Sequence, residues 1–301
     1  MILPPDPKPP RMVPRGPKSA NRPPRDVVDL HCHSTLSDGQ YDVETLLDKA
    51  AERQLRALAI TDHDNLDSYA IGKDLARERG IELIPGIEIS AVHEGRDIHV
   101  LGYCFDPTNL SLNLELKEQH RRRKERIRAI LKKLAGLGVE LTFEKVQSFS
   151  RGGVLGRPHV AQALMAEEYV SSFSEAFQKY LGDEGAAFVE KRGLSVEEAI
   201  RLIHRAGGIA VLAHPLRTGV DDLLDKLPDW GLGGMEIVTG LKKASAVRKL
   251  RDWAVDRGMA CTGGSDYHGD QSPCGLGTLS IPYRALDDLR DKLEIQKTEW
   301  I

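Results

Sequence analysis

The stretch His31-Cys32-His33-Ser34-Thr35-Leu36-Ser37-Asp38-Gly39 holds two histidines and an aspartate at spacings suited to a metal ion. It follows a short apolar run, Val27-Val28-Asp29-Leu30, which predicts a strand. Side chains at i and i+2 on extended backbone share a face, so His31 and His33 can converge on one ion where that strand ends. Asp38, just before a glycine, can swing back from the turn that follows.

The same arrangement recurs along the chain. A strand over 55–60 ends in Thr61-Asp62-His63-Asp64, and Pro85-Gly86-Ile87-Glu88-Ile89-Ser90 puts Glu88 near another strand end. A strand over 97–103 carries His99, and the buried run 208–213 leads into His214-Pro215. Met259-Ala260-Cys261-Thr262 leads into Gly263-Gly264-Ser265-Asp266-Tyr267-His268. His31, His33, Asp38, His63, Glu88, His99, His214, Asp266 and His268 are thus all expected at or just past the C-terminal end of a strand, where parallel β/α folds build their sites. Six of the ten histidines fall at such positions, a poor match to scattered loop histidines. His93, His120 and His204 read as ordinary surface or helix residues.

Nine nitrogen and oxygen donors exceed what one ion needs. Imidazole with carboxylate, and no thiolate, suits Mn2+, Fe or Zn2+ better than Ca2+ or Mg2+. Two or three ions sharing a carboxylate lower the pKa of a bound water and clamp the oxygens of a transferring phosphoryl group. A purely structural site is closed and usually rich in sulphur, which this donor set is not.

The elements that must position these residues alternate from Asp26 onward. A helix over 43–54 has Leu46, Leu47 and Ala50 at helical spacing, and a second helix stops near Gly80. Ser195 and Glu198 form a capping box for a helix reaching Ala206; further helices follow over 246–257 and 286–293. Near-continuous apolar strands alternating with helices predict an α/β fold with a mostly parallel sheet or barrel. The alternation breaks after Phe105. Residues 106–192 read as an inserted helical subdomain between two parts of the main fold, 26–105 and 193–301. Its long helix has Leu116, Ile127, Ile130, Leu131 and Leu134 on one face, with Arg121, Arg122, Arg123, Lys124 and Arg126 among the polar residues. A glycine-rich basic turn over 151–159 contains Arg157-Pro158-His159 and opens a further helix.

The bulk properties narrow the class. With 301 residues the chain can bury a sizeable core, and a net charge of −3 confines any polyanion-binding surface to a local patch. Cys32, Cys104, Cys261 and Cys274 form no C-x-x-C pair and read as reduced thiols of a cytoplasmic protein. No apolar run is long enough to predict a membrane span, and no apolar N-terminal segment predicts a secretory signal. Residues 1–25 are proline-rich and basic and are expected to form an extended, disordered tail.

The ordered motifs His31-x-His33, Thr61-Asp62-His63, Pro85-Gly86-Ile87-Glu88, His214-Pro215 and Gly264-Ser265-Asp266-Tyr267-His268 resemble those of the PHP (polymerase and histidinol phosphatase) family over about 26–282. The resemblance implies a distorted, TIM-like (β/α)7 barrel with a trinuclear centre at the strand C-termini, for which Mn2+ is the first choice. His31, His33, Glu88 and Asp266 would hold one ion, and Asp38, His63 and His268 a second; Glu88 would bridge to a third held by His99 and His214.

The helical insert resembles the subgroup acting on nucleotides and short RNA, namely nucleoside 3′,5′-bisphosphate phosphatases and a related 5′-to-3′ exoribonuclease. A metal-bridging hydroxide would attack phosphorus in line, with His33, Asp38 and His63 in the catalytic centre. Arg157 could clamp a second phosphate, His159 could donate to the leaving group, and Arg121, Arg122, Arg123 and Arg126 could hold further phosphates. The expected partner is a nucleotide or short RNA, with no membrane and no obligatory protein partner. A histidinol-phosphate phosphatase needs no basic insert, an amidohydrolase-like site often uses a bridging lysine that no strand end supplies, and a non-catalytic scaffold would usually have lost ligands.

Overall fold

The computed structural model describes residues 26–238, 240 and 243–299; the tail expected over 1–25 lies outside them. The fold is α/β, with two sheets rich in parallel pairs. In the first, β1 (Val27–Cys32) pairs in parallel with β2 (Ala57–Ile60), and β2 with β3 (Glu82–Ile84); β10 (Ile281–Pro282) lies antiparallel against the outer edge of β1. The second begins with the antiparallel hairpin β4 (Gly86–His93) and β5 (Arg96–Tyr103), with β6 (Leu194–Ser195) on its outer edge. It continues through β7 (Ile209–Leu212), β8 (Gly234–Val238) and β9 (Ala260–Gly263), which run parallel to one another.

One expectation changes here. His99 was expected at a strand's C-terminal end, but β5 runs antiparallel to both its neighbours, and His99 lies in its N-terminal half, opposite Ser90 of β4. The reversed strand brings its early residues to the rim where the others bring their late ones. Glu88 likewise sits early in β4, just beyond β3.

The strands are covered by α1 (Val43–Glu52), α2 (Asp67–Glu78), α7 (Val196–Arg205), α8 (Ala244–Asp256) and α9 (Arg284–Glu299). All residues of β2 and β7 are buried, as apolar strands covered on both faces require. In α7 the buried Val196, Ala199, Ile200, Leu202 and Ile203 form one stripe, and the expected capping box is present: Ser195 Oγ accepts from Glu198 N at 3.2 Å and Ser195 N donates to the Glu198 carboxylate at 2.7 Å. Val28, Ala57, Leu101, Val211 and Ala260 share one apolar cluster, so the two sheets face a common core.

The sheets also meet along two short seams. Cys32 bridges Tyr267, with His33 N donating to Tyr267 O at 2.9 Å and Asp266 N to His31 O at 2.8 Å. His63 bridges Glu88, with Asp64 N donating to Glu88 O at 3.0 Å and Glu88 N to Asp62 O at 3.3 Å. Both seams consist of residues singled out for chemistry, or of their neighbours.

Between β5 and β6 the chain forms α3 (Leu110–Gly136), α4 (Phe143–Phe149), α5 (Arg157–Ala166) and α6 (Phe173–Ala176), followed by a π-helical turn, Phe177–Leu181. The first half of α3 packs Leu112 and Leu116 into the cluster that holds α7. Its second half packs Ile127, Ile130, Leu131 and Leu134 with Val160 and Leu164 of α5 in a separate cluster.

Candidate metal centre

The rim is built by backbone that side chains could not tolerate elsewhere. A Cβ on Gly39 would lie 2.1 Å from His33 O, so the turn carrying Asp38 closes back on β1 only with glycine there. A Cβ on Gly264 would lie 2.2 Å from His31 Cβ; its absence lets the strand leading to Asp266 rest against β1. Asp64, His214 and Asp266 all have positive φ (52°, 32° and 52°), a conformation that costs on the order of 1–3 kcal/mol and is held in place by the surrounding contacts.

The nine side chains converge on one rim. Glu88, fully buried, is the hub. Its Oε2 lies 3.4 Å from His31 Nε2, 3.2 Å from His33 Nε2 and 3.1 Å from His63 Nδ1; its Oε1 lies 2.9 Å from His99 Nδ1 and 3.1 Å from His214 Nε2. Asp266 Oδ1 is 3.3 Å from both His31 Nε2 and His33 Nε2. Asp38 faces His268 Nε2 at 3.5 Å, His33 Nδ1 at 3.8 Å and His63 Nε2 at 3.9 Å.

This donor set fits divalent ions. His31 Nε2, His33 Nε2, Asp38 Oδ1, His63 Nδ1, Glu88 Oε2 and His214 Nδ1 are buried without a hydrogen-bond partner, which is costly for polar atoms unless something is meant to be bound. His31, His33 and Asp266 form one compact group, His33, Asp38, His63 and His268 a second, and His63, Glu88 and His99 a third.

The electrostatics fit cation binding as well. Burial would raise the pKa of Glu88, Asp38 and Asp266, but the surrounding imidazoles hold all three carboxyls well below their usual range. Burial lowers the His33 imidazolium, yet its contacts to Asp266 and Glu88 prevail and raise it to about 10. His63 goes the other way: burial pushes it down to about 3 despite Glu88 and Asp38.

The centre opens into a cavity of about 320 Å3, within the range of small-molecule sites. Its lining is rich in cations: Arg122, Arg123, Arg126, Arg157, Lys191, Arg192 and Arg217. Arg123 donates to Asp64 Oδ2 and Ser90 Oγ, both at 2.7 Å. Arg157 donates to Asp97 at 2.9 Å and Arg126 lies 4.0 Å from the same carboxylate, which Lys191 also contacts. Burial and the neighbouring Arg157 charge push the Arg126 guanidinium down to about 10. Arg217 donates to Asp266 Oδ2 at 2.6 Å.

Two expected substrate contacts are placed elsewhere. Arg121 is exposed, pairs with Glu118 and Glu125, and does not line the cavity. His159 is buried, with Nδ1 accepting from Gly156 N at 3.0 Å, and lies outside the lining too. Bonds to the Gly156 and Ser37 backbones tie its ring between the start of α5 and the turn carrying Asp38.

A family model described as the PHP domain matches residues 29–197. A 5′-3′ exoribonuclease of Haemophilus influenzae is 37% identical over 252 residues, 82% of this chain and 90% of that protein. The chain belongs to the PHP family. Within that family it is also 31% identical over 247 residues to a 3′,5′-nucleoside bisphosphate phosphatase of Chromobacterium violaceum, covering 80% of this chain and 87% of that one. A crystal structure described as a metal-dependent phosphoesterase of Bifidobacterium adolescentis superposes with a TM-score of 0.82 at 28% identity, covering 90% of this chain and 98% of that one.

Sequence reasoning missed the carboxylates that brace this PHP centre. Glu236, buried in β8, takes His31 Nδ1 at 2.9 Å on one oxygen and His214 N at 2.7 Å on the other, so it fixes two histidines from different strands. Asp62 accepts from Ser34 N, Ser34 Oγ and Ser37 Oγ, each at 2.7 Å, and orders the turn that carries Asp38. Asp29 accepts from Ser265 N at 2.9 Å and Gly277 N at 2.8 Å. Each is a lone carboxylate beside or within an apolar strand, a position where burial demands partners. Glu236→Gln is expected to weaken metal affinity by about 10–100-fold with the fold intact, since the amide keeps only one of the two accepting oxygens and turns an NH2 toward His31 or the His214 backbone. Metal titration alongside circular dichroism checks this; unchanged affinity would refute a bracing role.

Proposed function

We propose that this PHP protein hydrolyses phosphate esters at O3′ of nucleosides that also carry a 5′-phosphate, the feature shared by a nucleoside 3′,5′-bisphosphate and a 5′-phosphorylated RNA. The observation that carries this reading is the pairing, in one cavity, of the His and carboxylate cluster with guanidinium and ammonium groups. A single small phosphomonoester would use only the cluster. A second phosphate accounts for the crowding of Arg157, Arg126 and Lys191 on Asp97, where positive charge exceeds negative. The curated relatives named above point to the same substrate class.

In this reading His31, His33, Glu88 and Asp266 hold one divalent ion, Asp38, His63 and His268 a second, and Glu88, His99 and His214 a third, with Mn2+ preferred on the chemistry of the donors. Such ions supply Lewis-acid activation of water and neutralise phosphoryl charge. The chain's own groups orient the substrate: Arg157 and Lys191 face the 5′-phosphate, while Arg217 reaches from Asp266 toward the scissile group. His159 acts indirectly, by fixing the turn that presents Asp38.

The strand order β1, β2, β3/β4, β5, β7, β8, β9, with the His63–Glu88 seam carrying β2 on to β4 and the Cys32–Tyr267 seam returning to β1, supports the reading of a seven-stranded distorted barrel. The separate apolar cluster of 106–192 supports its reading as an inserted subdomain. The free cysteines Cys32, Cys104, Cys261 and Cys274 favour a cytoplasmic setting.

The test is a substrate panel with Mn2+. A nucleoside 3′,5′-bisphosphate and a short 5′-phosphorylated RNA are expected to exceed histidinol phosphate by about a hundredfold or more in kcat/KM, because only they engage these cations. Preference for histidinol phosphate would overturn the assignment.

A further inference from the structure

Asp97 lines the cavity among the cations, although a carboxylate there repels a phosphate. It lies two residues before His99 on β5, so the two side chains share a face; Ile98 and Val100 turn the other way, into the apolar core. Three cations from separate elements meet on Asp97. Arg157, the first residue of α5, donates to it at 2.9 Å, Lys191 from the segment before β6 contacts it, and Arg126 of α3 lies 4.0 Å away. Arg126 and Arg157 also donate to carbonyls of the helical segment, Val189 O at 2.9 Å and Leu181 O at 3.1 Å. Asp97 is thus what ties these cations to the strand of His99. That strand is paired with β4 residue by residue from Arg96 to Tyr103, and two residues of extended chain advance roughly 6.6 Å. The step is short enough to be spanned by one sugar with a phosphate on each side.

We infer that Asp97 is a positioning residue: it gathers Arg126, Arg157 and Lys191 at a fixed step along β5 from His99, so that a 5′-phosphate held by these cations brings the 3′-phosphate of the same nucleoside to the metal cluster. This rests on the proposed phosphoesterase reading and extends it, because β5 then measures one nucleotide. Cations brought this close would otherwise spread apart or shed a proton. Burial pulls the Lys191 ammonium below its ordinary value; Asp97 opposes that pull and Arg123 adds to it. Removing the Asp97 charge therefore separates two accounts of the residue. Direct electrostatics predicts tighter phosphate binding, because a repelling group is gone. Positioning predicts weaker binding, because the clamp comes apart.

Full-length, Mn2+-loaded protein is titrated with adenosine 5′-monophosphate by calorimetry, and kcat and KM are measured for adenosine 3′,5′-bisphosphate and adenosine 3′-monophosphate. Asp97→Asn is expected to weaken the 5′-monophosphate Kd by about tenfold and to lower the kcat/KM ratio, bisphosphate over 3′-monophosphate, by a similar factor. Asp97→Glu keeps the charge but moves it by one methylene. It should hold that Kd within about twofold and lower kcat on the bisphosphate by about tenfold or more, because the reacting phosphate is then out of register. Tighter 5′-monophosphate binding in Asp97→Asn, or an equal loss on both esters, overturns the positioning role; full kcat on the bisphosphate in Asp97→Glu overturns the fixed step. If the parent protein hydrolyses neither ester, the phosphoesterase reading falls, and the 5′-monophosphate titration still decides whether Asp97 holds the clamp.

Discussion

Alanine at His33 or at Asp266 is expected to lower kcat/KM by on the order of 10³-fold or more and to reduce the bound metal, while circular dichroism still reports the native fold. His33 bridges the groups around Asp266 and Asp38, so its loss removes a donor from two parts of the centre at once. Asp266 contributes one oxygen to His31 and His33 and the other to Arg217, so its loss also frees the arginine nearest the cluster. The core that defines the fold is made of other residues, among them Val28, Leu30, Leu101 and Val211, and is untouched by either change. Arg121→Ala is the control: its ion pairs are exposed and outside the cavity, so activity should stay within about twofold of the parent. Metal analysis of the purified variants decides the matter. Full metal content and full activity in either alanine variant would dismantle the site.

Metal uptake should also release protons, and affinity should climb steeply with pH. In the ion-free cluster His31 and His268 are raised above their ordinary value and His33 is held up to about 10, because the facing carboxylates outweigh the burial that would lower them. At neutral pH the His33 imidazole carries a proton that an ion must displace, whereas His63, pushed down to about 3, offers its nitrogens without competition. Each displaced proton steepens the affinity by about tenfold per pH unit until the raised pKa is passed. Calorimetry of Mn2+ binding in buffers of different ionisation enthalpy counts the protons; no release at pH 7 would contradict the charge state.

The same shifts set the stability of the ion-free protein. The His33 contribution is complete below its ordinary value of 6.5 and disappears as pH rises through about 10. The contributions of Asp38, Glu88 and Asp266 are complete above their ordinary values of 3.8 to 4.5 and disappear as pH falls through the depressed ones. Both of these are intact between about 4.5 and 6.5, but the depressed His63 opposes folding increasingly as pH falls below its ordinary value of 6.5, so stability is expected to peak near the upper edge of that window, which pH-dependent urea unfolding checks.

Much of this centre was legible because the chemistry-bearing residues sit where apolar strands end, and strand ends can be read from hydropathy. His99 reached the rim by another route, since nothing in the run 97–103 reveals that β5 runs against its neighbours. The basic face of α3 could be recognised but not apportioned. Arg123 and Arg126 turn to the cavity and Arg121 to solvent, a matter of how the helix is rotated against the sheets, which the spacing of arginines does not fix. Glu236 was visible within an apolar strand, and its burial could have been anticipated; what it braces depends on the strand that ends in His214, far away in sequence. His159 looked like a proton donor because it opens a helix near Arg157, yet its Nδ1 is taken up by the cap of its own helix.

The seams have a consequence for how the protein is held together. Each sheet has its own ladder, but what joins one to the other along these edges is a few backbone bonds at Asp64, Glu88, His33 and Asp266, the residues that carry or flank the reactive groups. The catalytic rim thus works like a clasp between the two sheets. A change that spreads the rim loosens their join, and ions pulling on both sides of each seam would fasten it, so that readiness for reaction and tightness of the fold become one property.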